Sequence, residues 1–278
     1  MNKSALLFPG QGAQYVGMGK NIYQDYKIAK HLFDEANDVL GFDLKSLCFD
    51  GDLTELTKTE NAQPALLTTS VANFKVFRKV TEVSPSFLAG HSLGEFSALV
   101  CAKAISFSDA LKLVRKRGEL MSKASQGGMA AVMGLEESKI KDACRKISSD
   151  DSFVVVSNNN APDQIVISGH KAAVSKAEEV LSGLGGKVKI LNVSAAFHSP
   201  LMKEAAEEFK SILTAISFNI PSWPVVSNVT GRPLTDAVAL KDELFEQLIS
   251  PVQWQLSMSF MKENNIDTFI DIGPGQVV

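Results

Sequence analysis

The chain has few cysteines and no long apolar run. Three cysteines, Cys48, Cys101 and Cys144, stand far apart in 278 residues. An odd number without paired spacing argues against a disulfide framework and against a zinc site, so we expect buried thiols in a reducing compartment. The apolar runs are shorter than the roughly 20 residues that a membrane span needs, and a proline and glycines interrupt the apolar N-terminus. These features predict a cytoplasmic protein that does not bind a membrane.

The chain also lacks a strong charge of one sign. Its formal net charge is -3, from 28 basic and 31 acidic side chains. This balance, with the basic residues scattered, provides no electrostatic basis for binding nucleic acid or an anionic membrane surface. Hydrophobic residues make up 45% of the chain, which is typical of folded globular proteins. The length predicts one large domain, or one large domain with a smaller companion.

The order of strand-like and helix-like segments predicts an α/β protein with a mostly parallel sheet. Between residues 126 and 193 the order becomes β-α-β-β-α-β, which is the arrangement of a ferredoxin-like α+β unit. We therefore predict a small domain at 126–193, inserted into a large α/β domain formed by 1–125 and 194–278. After the glycine-rich end of the chain we expect a further C-terminal helix. Helices of the large domain are predicted at about 20–38, 62–80, 92–102, 107–124 and 239–249.

The stretch Gly90-His91-Ser92-Leu93-Gly94 has the Gly-x-Ser-x-Gly pattern of a nucleophile elbow. It stands between a predicted strand, SFLAG, and a predicted helix. In such an elbow glycines flank the serine because a Cβ at either position would clash with nearby backbone. The N–H groups at the start of the helix favour an oxyanion. A serine that only caps the helix is the alternative, but the strand before it and the helix after it favour a nucleophile.

A nucleophilic serine needs a base, which is usually histidine. Of the four histidines, His31 lies in an amphipathic helix and His170 opens a helix of the predicted small domain. The side chain of His91 is expected to diverge from that of Ser92. By elimination His198 is the predicted base, because it lies in a loop of small residues near the return to the large domain.

A third, acidic member of the site is not identifiable from the sequence. Asp151 and Asp163 lie between Ser92 and His198 in the chain, as in hydrolase triads, but they fall in loops of the predicted small domain. A dyad in which a backbone carbonyl orients the histidine is equally compatible with the pattern.

Arg117 stands in the centre of an apolar helix stripe. The stripe has i, i+3, i+4 spacing and consists of Ala110, Leu113, Val114, Leu120 and Met121. An inward arginine is costly unless an anion meets it. One interpretation is snorkelling or an internal carboxylate partner. The other is a bidentate clamp for a substrate carboxylate or phosphate, which beside a serine nucleophile indicates a dicarboxylic acyl group.

Eight segments resemble, in order, the malonyl-CoA:acyl carrier protein transacylase family. They are FPGQGAQYVGMG, QPALLTTSVA, AGHSLGEFSAL, RKRGELM, NNAPDQIVISG, AAFHSPLM, SPVQW and DIGPG. The resemblance extends from Ala5 to Val278 and is far more specific than the elbow pattern alone. It implies a hydrolase-like α/β core with an inserted ferredoxin-like domain. It also implies that a malonyl group moves from malonyl-CoA to acyl carrier protein in fatty acid biosynthesis, by a ping-pong mechanism.

The resemblance implies two catalytic residues, one residue that binds the substrate and one that orients the histidine. Ser92 is the residue that becomes malonylated, and His198 is its base. Arg117 pairs with the free malonyl carboxylate. The main-chain carbonyl of Gln247 orients the histidine in place of an acid.

Five further residues surround the acyl group in this resemblance. The backbone N–H groups of Gln11 and Leu93 form the oxyanion hole. Gln63 and Asn160 lie near the acyl pocket. Phe197 narrows that pocket against an extra methyl group, an effect of about 1 to 3 kcal/mol.

The resemblance implies no cofactor and no metal, since malonyl-CoA is a substrate. Acyl carrier protein and coenzyme A are the expected partners, and a monomer is expected. Three alternatives remain at this point. They are a serine hydrolase or esterase with the same elbow, an acyltransferase of polyketide synthesis, and a non-catalytic scaffold that binds carrier protein.

Overall fold

Two β-sheets organise the chain in a computed structural model that describes residues 3–124, 127–193 and 195–275. The strands of the larger sheet are β1 (Ser4–Phe8), β2 (Phe87–Gly90), β7 (Val225–Val226), β8 (Pro233–Leu234) and β9 (Thr268–Asp271). Their order is β8-β7-β2-β1-β9, and all neighbours except β7 and β8 run parallel. The predicted α/β class with a mostly parallel sheet is confirmed.

Helices cover both faces of this sheet, which explains why strand β1 is apolar throughout. Leu6 and Phe8 pack into the larger apolar cluster, while Ala5 and Leu7 pack into a smaller cluster on the opposite face. The helices of this part are α1 (Lys20–Asp25), α2 (Lys27–Leu40), α3 (Leu44–Asp50), α4 (Leu53–Thr57), α5 (Thr59–Val80), α6 (Leu93–Cys101), α7 (Phe107–Lys123), α10 (Lys203–Thr214), α11 (Ala237–Ile249) and α12 (Trp254–Glu263).

The helix predicted over 20–38 is two helices, α1 and α2. Tyr26 separates them with an extended backbone, and its ring packs against the larger apolar cluster. Helices α3, α4 and α12 were not predicted. The first two are short, and each begins at an aspartate, Asp43 or Asp52, whose carboxylate accepts hydrogen bonds from first-turn N–H groups.

The smaller sheet forms the predicted β-α-β-β-α-β unit. Its elements are β3 (Gly127–Met133), α8 (Glu137–Ile147), β4 (Val154–Ala161), β5 (Gln164–His170), α9 (Lys171–Gly183) and β6 (Lys187–Ile190). The strand order is β4-β5-β3-β6 with antiparallel neighbours, and the unit has its own apolar cluster. The predicted boundary residues 125, 126 and 194 lie outside the described residues, so the division of the chain at these positions stays a prediction.

A short parallel bridge joins the smaller sheet to the segment between α11 and α12. The N–H of Asn159 donates to the carbonyl of Val252 at 2.8 Å, and the N–H of Val252 donates to Ser157 at 2.9 Å. This bridge places the end of β4 above the carboxyl ends of β1 and β2. The loops that follow those two strands contain Gln11 and Ser92, so the site forms between the two sheets.

The three cysteines are free and buried, as the sequence predicted. Burial raises the pKa of the Cys48 thiol to about 12 and that of the Cys144 thiol to about 11, and it also raises the pKa of Cys101. None of the described helices has the length and apolar character that a membrane crossing requires.

Candidate active site

Ser92 occupies a strained turn between β2 and α6. Its backbone has φ 51° and ψ -105°, a conformation that L-residues rarely adopt. A Cβ on Gly90 would overlap the backbone of Gly94, and a Cβ on Gly94 would overlap the backbone of Phe8. The two glycines therefore allow the close approach of strand and helix that an elbow needs. The Ser92 side chain caps no N–H of α6, which disfavours the helix-cap interpretation.

Asn228, two residues after the neighbouring strand β7, fixes the elbow. Its Oδ1 accepts from the N–H of Ser92 at 2.6 Å, and its Nδ2 donates to the carbonyl of Gly90 at 2.7 Å. The side chain is buried. Sequence reasoning missed this residue, although its position just after a strand at the same sheet edge was a usable signal.

His198 is the histidine that contacts the serine. Its Nε2 lies 2.8 Å from Ser92 Oγ, and its Nδ1 lies 2.7 Å from the main-chain carbonyl of Gln247. A carbonyl can only accept, so the proton resides on Nδ1 and Nε2 is free to accept the serine proton. Burial, together with the nearby charge of Arg117, lowers the pKa of His198 to about 3. The imidazole is therefore neutral at neutral pH.

The remaining histidines and the two aspartates lie elsewhere. His31 is exposed on α2, and His170 accepts a hydrogen bond from the N–H of Phe153 within the smaller unit. Among the described residues, neither Asp151 nor Asp163 contacts His198. The geometry is that of a dyad with a carbonyl in the position of the acid.

Arg117 is buried beside the serine, and its hydrogen-bond partners among the described residues are neutral. It is 1% exposed. Its Nη1 donates to Gln63 Oε1 at 2.9 Å, and its Nη2 donates to Gln247 Oε1 at 2.9 Å and to Ser92 Oγ at 3.2 Å. Its Nε has no hydrogen-bond partner in the described part of the chain.

This environment bears on the two interpretations of Arg117 left open above. Burial excludes snorkelling, and no carboxylate of the described residues forms an ion pair with the guanidinium. Burial lowers its pKa to about 10, while the nearby carboxyl of Glu95 acts in the opposite direction, so the guanidinium keeps its charge at neutral pH. A buried cation of this kind can pair with an anionic ligand group next to Ser92.

A cavity of about 940 Å³ opens at this point between the two sheets. Ser92, His198 and Arg117 reach its wall. The smaller sheet contributes Asn160 and apolar side chains that include Met129 and Val166. Its size and its few convergent polar groups are typical of a small-molecule binding site.

The structure brings four other predicted residues to this cavity or its mouth. Gln11 and Leu93 line it beside Ser92, and the Oε1 of Gln11 accepts from Thr59 at 2.8 Å. Phe197 also lines it. Asn160 Oδ1 lies 2.8 Å from Nε2 of His91, so the His91 side chain diverges from Ser92 as expected.

Two predicted residues lie behind the cavity wall. Gln63 is fully buried, and its Nε2 donates to the Met121 sulfur at 3.4 Å. Gln247 is also fully buried, and it contacts both Arg117 and His198. Both contact residues of the site without lining the cavity.

Sequence reasoning also missed two buried carboxyls, Glu95 and Glu243. Glu95 lies in the first turn of α6, where an acidic side chain ordinarily faces solvent and interacts with the helix dipole. Here both residues are buried behind the site. The described residues contain no group of three or more His, Cys, Asp or Glu placed to hold a metal ion.

The fold and the site define an acyltransferase. The family model described as acyl transferase domain matches residues 5–278. The malonyl CoA-acyl carrier protein transacylase of Bacillus subtilis strain 168 is 47% identical over 282 residues, covering the whole of this chain and 89% of that protein. The malonyl CoA-acyl carrier protein transacylase of Staphylococcus aureus strain MRSA252 is 43% identical over 282 residues, which cover the whole of this chain and 91% of that protein.

Solved structures agree with this class. An acyl carrier protein S-malonyltransferase from Vibrio cholerae superimposes with a TM-score of 0.95 at 42% identity, over 98% of this chain and 90% of that one. A malonyl-transacylase in complex with its type II PKS acyl-carrier protein superimposes with a TM-score of 0.96 at 40% identity, over 99% and 90%. The chain belongs to the malonyl CoA-acyl carrier protein transacylase family, as its eight sequence segments indicated.

Proposed function

We propose that this chain transfers a malonyl group from malonyl-CoA to the phosphopantetheine thiol of an acyl carrier protein, through a malonyl-Ser92 intermediate. One observation carries the proposal. The charge of Arg117 is buried 3.2 Å from the Ser92 hydroxyl, and its bonded partners among the described residues are neutral. The free carboxylate of a malonyl group supplies the missing anion. The names and the identities of the relatives support the same substrate and the same acceptor.

In the first half of the reaction, Nε2 of His198 takes the proton of Ser92 Oγ while this oxygen attacks the thioester carbonyl. The carbon–sulfur bond then breaks, and His198 returns the proton to the leaving sulfur, so coenzyme A departs as the thiol. The backbone N–H groups of Gln11 and Leu93 hold the carbonyl oxygen while it is negative. A positioned base contributes about 10² to 10⁴ in rate, and one oxyanion donor about 10² to 10³.

In the second half, the carrier thiol gives its proton to His198 and its sulfur attacks the malonyl ester. The ester bond breaks, and the proton passes from His198 to Ser92 Oγ. The hydrogen bond from Nδ1 to the Gln247 carbonyl keeps the imidazole in the same orientation in both halves. A carbonyl, unlike a carboxylate, adds no negative charge that would attract Arg117.

Binding of the malonyl group also prepares the base. Burial, and after it the charge of Arg117, lowers the pKa of His198 in the free enzyme. A malonyl carboxylate on Arg117 offsets that charge, so the imidazole accepts the serine proton more readily. Acetyl-CoA has no such carboxylate. It therefore forms no ion pair with Arg117 and does not offset the charge that lowers the pKa of His198.

The pocket roles of the remaining residues belong to the same proposal. Phe197 bounds the space beside the carbon between the two malonyl carbonyl groups, and Asn160 bounds it from the smaller sheet. Gln63 holds Arg117 from behind.

We also propose that the enzyme works as a cytoplasmic monomer without a cofactor, that 126–193 is a separate small domain, and that the product serves fatty acid synthesis.

A partition assay tests the function. The chain is mixed with malonyl-CoA and a phosphopantetheinylated acyl carrier protein, and malonyl-carrier is measured against free malonate. We expect mostly malonyl-carrier, and no transfer by Ser92→Ala. Ser97→Ala is the matched control. This buried serine lies on α6, the helix that begins directly after Ser92, and its hydroxyl has no hydrogen-bond partner in the described structure. Mostly free malonate would favour the serine hydrolase, and neither product with the wild-type chain would favour the non-catalytic scaffold. Unchanged transfer by Ser92→Ala would refute Ser92 as the nucleophile.

A further inference from the structure

The side chain of Gln247 connects the cation of the site to the elbow. Its Oε1 accepts from Arg117 at 2.9 Å. Its Nε2 donates to Glu95 Oε2 at 2.6 Å and to the carbonyl of Ser92 at 3.1 Å. The main-chain carbonyl of the same residue holds His198. The position of one buried glutamine therefore affects both the clamp and the base.

The orientation of this amide depends on what faces each end. Arg117 can only donate, so the amide oxygen must face it. The opposite end must then find acceptors, and Glu95 Oε2 supplies the shorter of its two bonds. If that acceptor is lost, the amide can rotate and turn its NH₂ group toward the guanidinium, which removes an acceptor from Arg117.

Glu95 does not itself contact the reacting groups. Its carboxyl makes no hydrogen bond to Ser92 Oγ, His198 or Arg117 among the described contacts, and it does not line the cavity. It is fully buried. Glu95 is therefore not a catalytic residue. It belongs to the buried residues that contact the site from behind the cavity wall.

The carboxyl of Glu95 lies near a second buried acid. The Oε1 of Glu95 has no donor in the described part of the chain, and the neighbouring carboxyl is that of Glu243 on α11, which accepts from Ser227 Oγ at 2.7 Å and from the N–H of Val229 at 3.0 Å. Two buried carboxyls near each other do not both ionise readily, so one tends to keep its proton. Burial, and then the charge of Glu243, raises the pKa of Glu95 well above its usual range.

We propose that Glu95 is a positioning residue, whose carboxyl orients the Gln247 amide and thereby holds Arg117 and His198 around Ser92. This inference rests on the proposed malonyl transfer. A proton on Glu95 suits the arrangement, because an ionised carboxylate there would attract Arg117 and compete with the substrate carboxylate. The neutral amide of Gln247 separates the two groups.

Three variants distinguish positioning from general support of the fold. Glu95→Ala removes the acceptor, so we expect the preference for malonyl over acetyl transfer to fall by about tenfold or more, the effect of losing one hydrogen bond to a charged group. Glu95→Gln keeps an oxygen for Gln247 and presents an NH₂ group to Glu243, so it should restore the preference. Gln247→Ala should lower the preference as Glu95→Ala does, and the double variant should be no worse than Gln247→Ala alone, because the two residues act in series.

The experiment measures kcat and KM for malonyl-CoA and acetyl-CoA with the carrier as acceptor. Ser97→Ala is the control for removing a polar group from α6. A preference that is unchanged in Glu95→Ala, or losses that add in the double variant, would overturn the inference. If Glu95→Ala does not fold, Glu95→Asp gives the same comparison, because its shorter side chain cannot reach Gln247. A wild-type chain without a malonyl preference would instead refute the proposed function.

Discussion

Replacing Arg117 by alanine removes the charge that we assign to the malonyl carboxylate. The guanidinium is 1% exposed and bonded to Gln63, Gln247 and Ser92, none of which carries a charge. In the variant a bound malonyl carboxylate would be buried without a counter-ion. Breaking a buried ion pair in this way costs about 3 to 5 kcal/mol, and even the lower value corresponds to roughly a hundredfold loss in kcat/KM.

Acetyl transfer provides the internal comparison. An acetyl group has no carboxylate, so Arg117→Ala should leave acetyl transfer unchanged or raise it. The assay measures kcat/KM for malonyl-CoA and for acetyl-CoA with the same carrier as acceptor. Arg115→Ala is the matched control, because this arginine lies on the same helix but pairs with Glu119 at 2.8 Å, away from the cavity. Equal losses with both acyl groups would refute the assignment.

Three other predictions follow from the same contacts. Because burial and Arg117 lower the pKa of His198 to about 3, kcat/KM for acetyl-CoA should stay flat down to about pH 5, and Arg117→Ala should move the acid limb to higher pH by removing a positive charge. A wild-type midpoint near the ordinary histidine value of 6.5 would contradict this. Phe197→Ala should widen the pocket and raise methylmalonyl relative to malonyl transfer by roughly 10- to 100-fold, and a constant ratio of the two kcat/KM values would show that another side chain sets the limit. Alkylation of the native chain by iodoacetamide, followed by mass spectrometry, should be slow, and rapid labelling at neutral pH would contradict the burial of Cys48, Cys101 and Cys144.

The alternation of elements along the chain was sufficient to predict the fold class. Strand β1 is apolar on both faces, and the smaller unit follows its β-α-β-β-α-β order closely. The break at Tyr26 was not predictable from helical periodicity, since the apolar spacing continues through it. Helices α3 and α4 have seven and five residues, too few for a periodic pattern to emerge. Their aspartate caps were the available signal.

The site was predictable where a residue type is itself unusual in its place. Arg117 interrupts an apolar stripe, and Ser92 stands between glycines. In the layer behind the site, no residue type is unusual in its place, and only the position of Asn228 after a strand gave a weak signal. Glu95 resembles an ordinary exposed acid of a first helical turn, and Asn228 follows a strand of only two residues. Their burial depends on the packing of α6, α11 and β7 together, which distant parts of the sequence determine jointly.

The central claim is that Ser92 carries the malonyl group between the two substrates. The most direct test is the intact mass of the chain after brief incubation with malonyl-CoA in the absence of carrier, followed by peptide mapping of the adduct. We predict a mass increase of one malonyl group, located on the peptide that contains Ser92 and lost when carrier is added. An unmodified chain, or an adduct on another residue, would contradict the account.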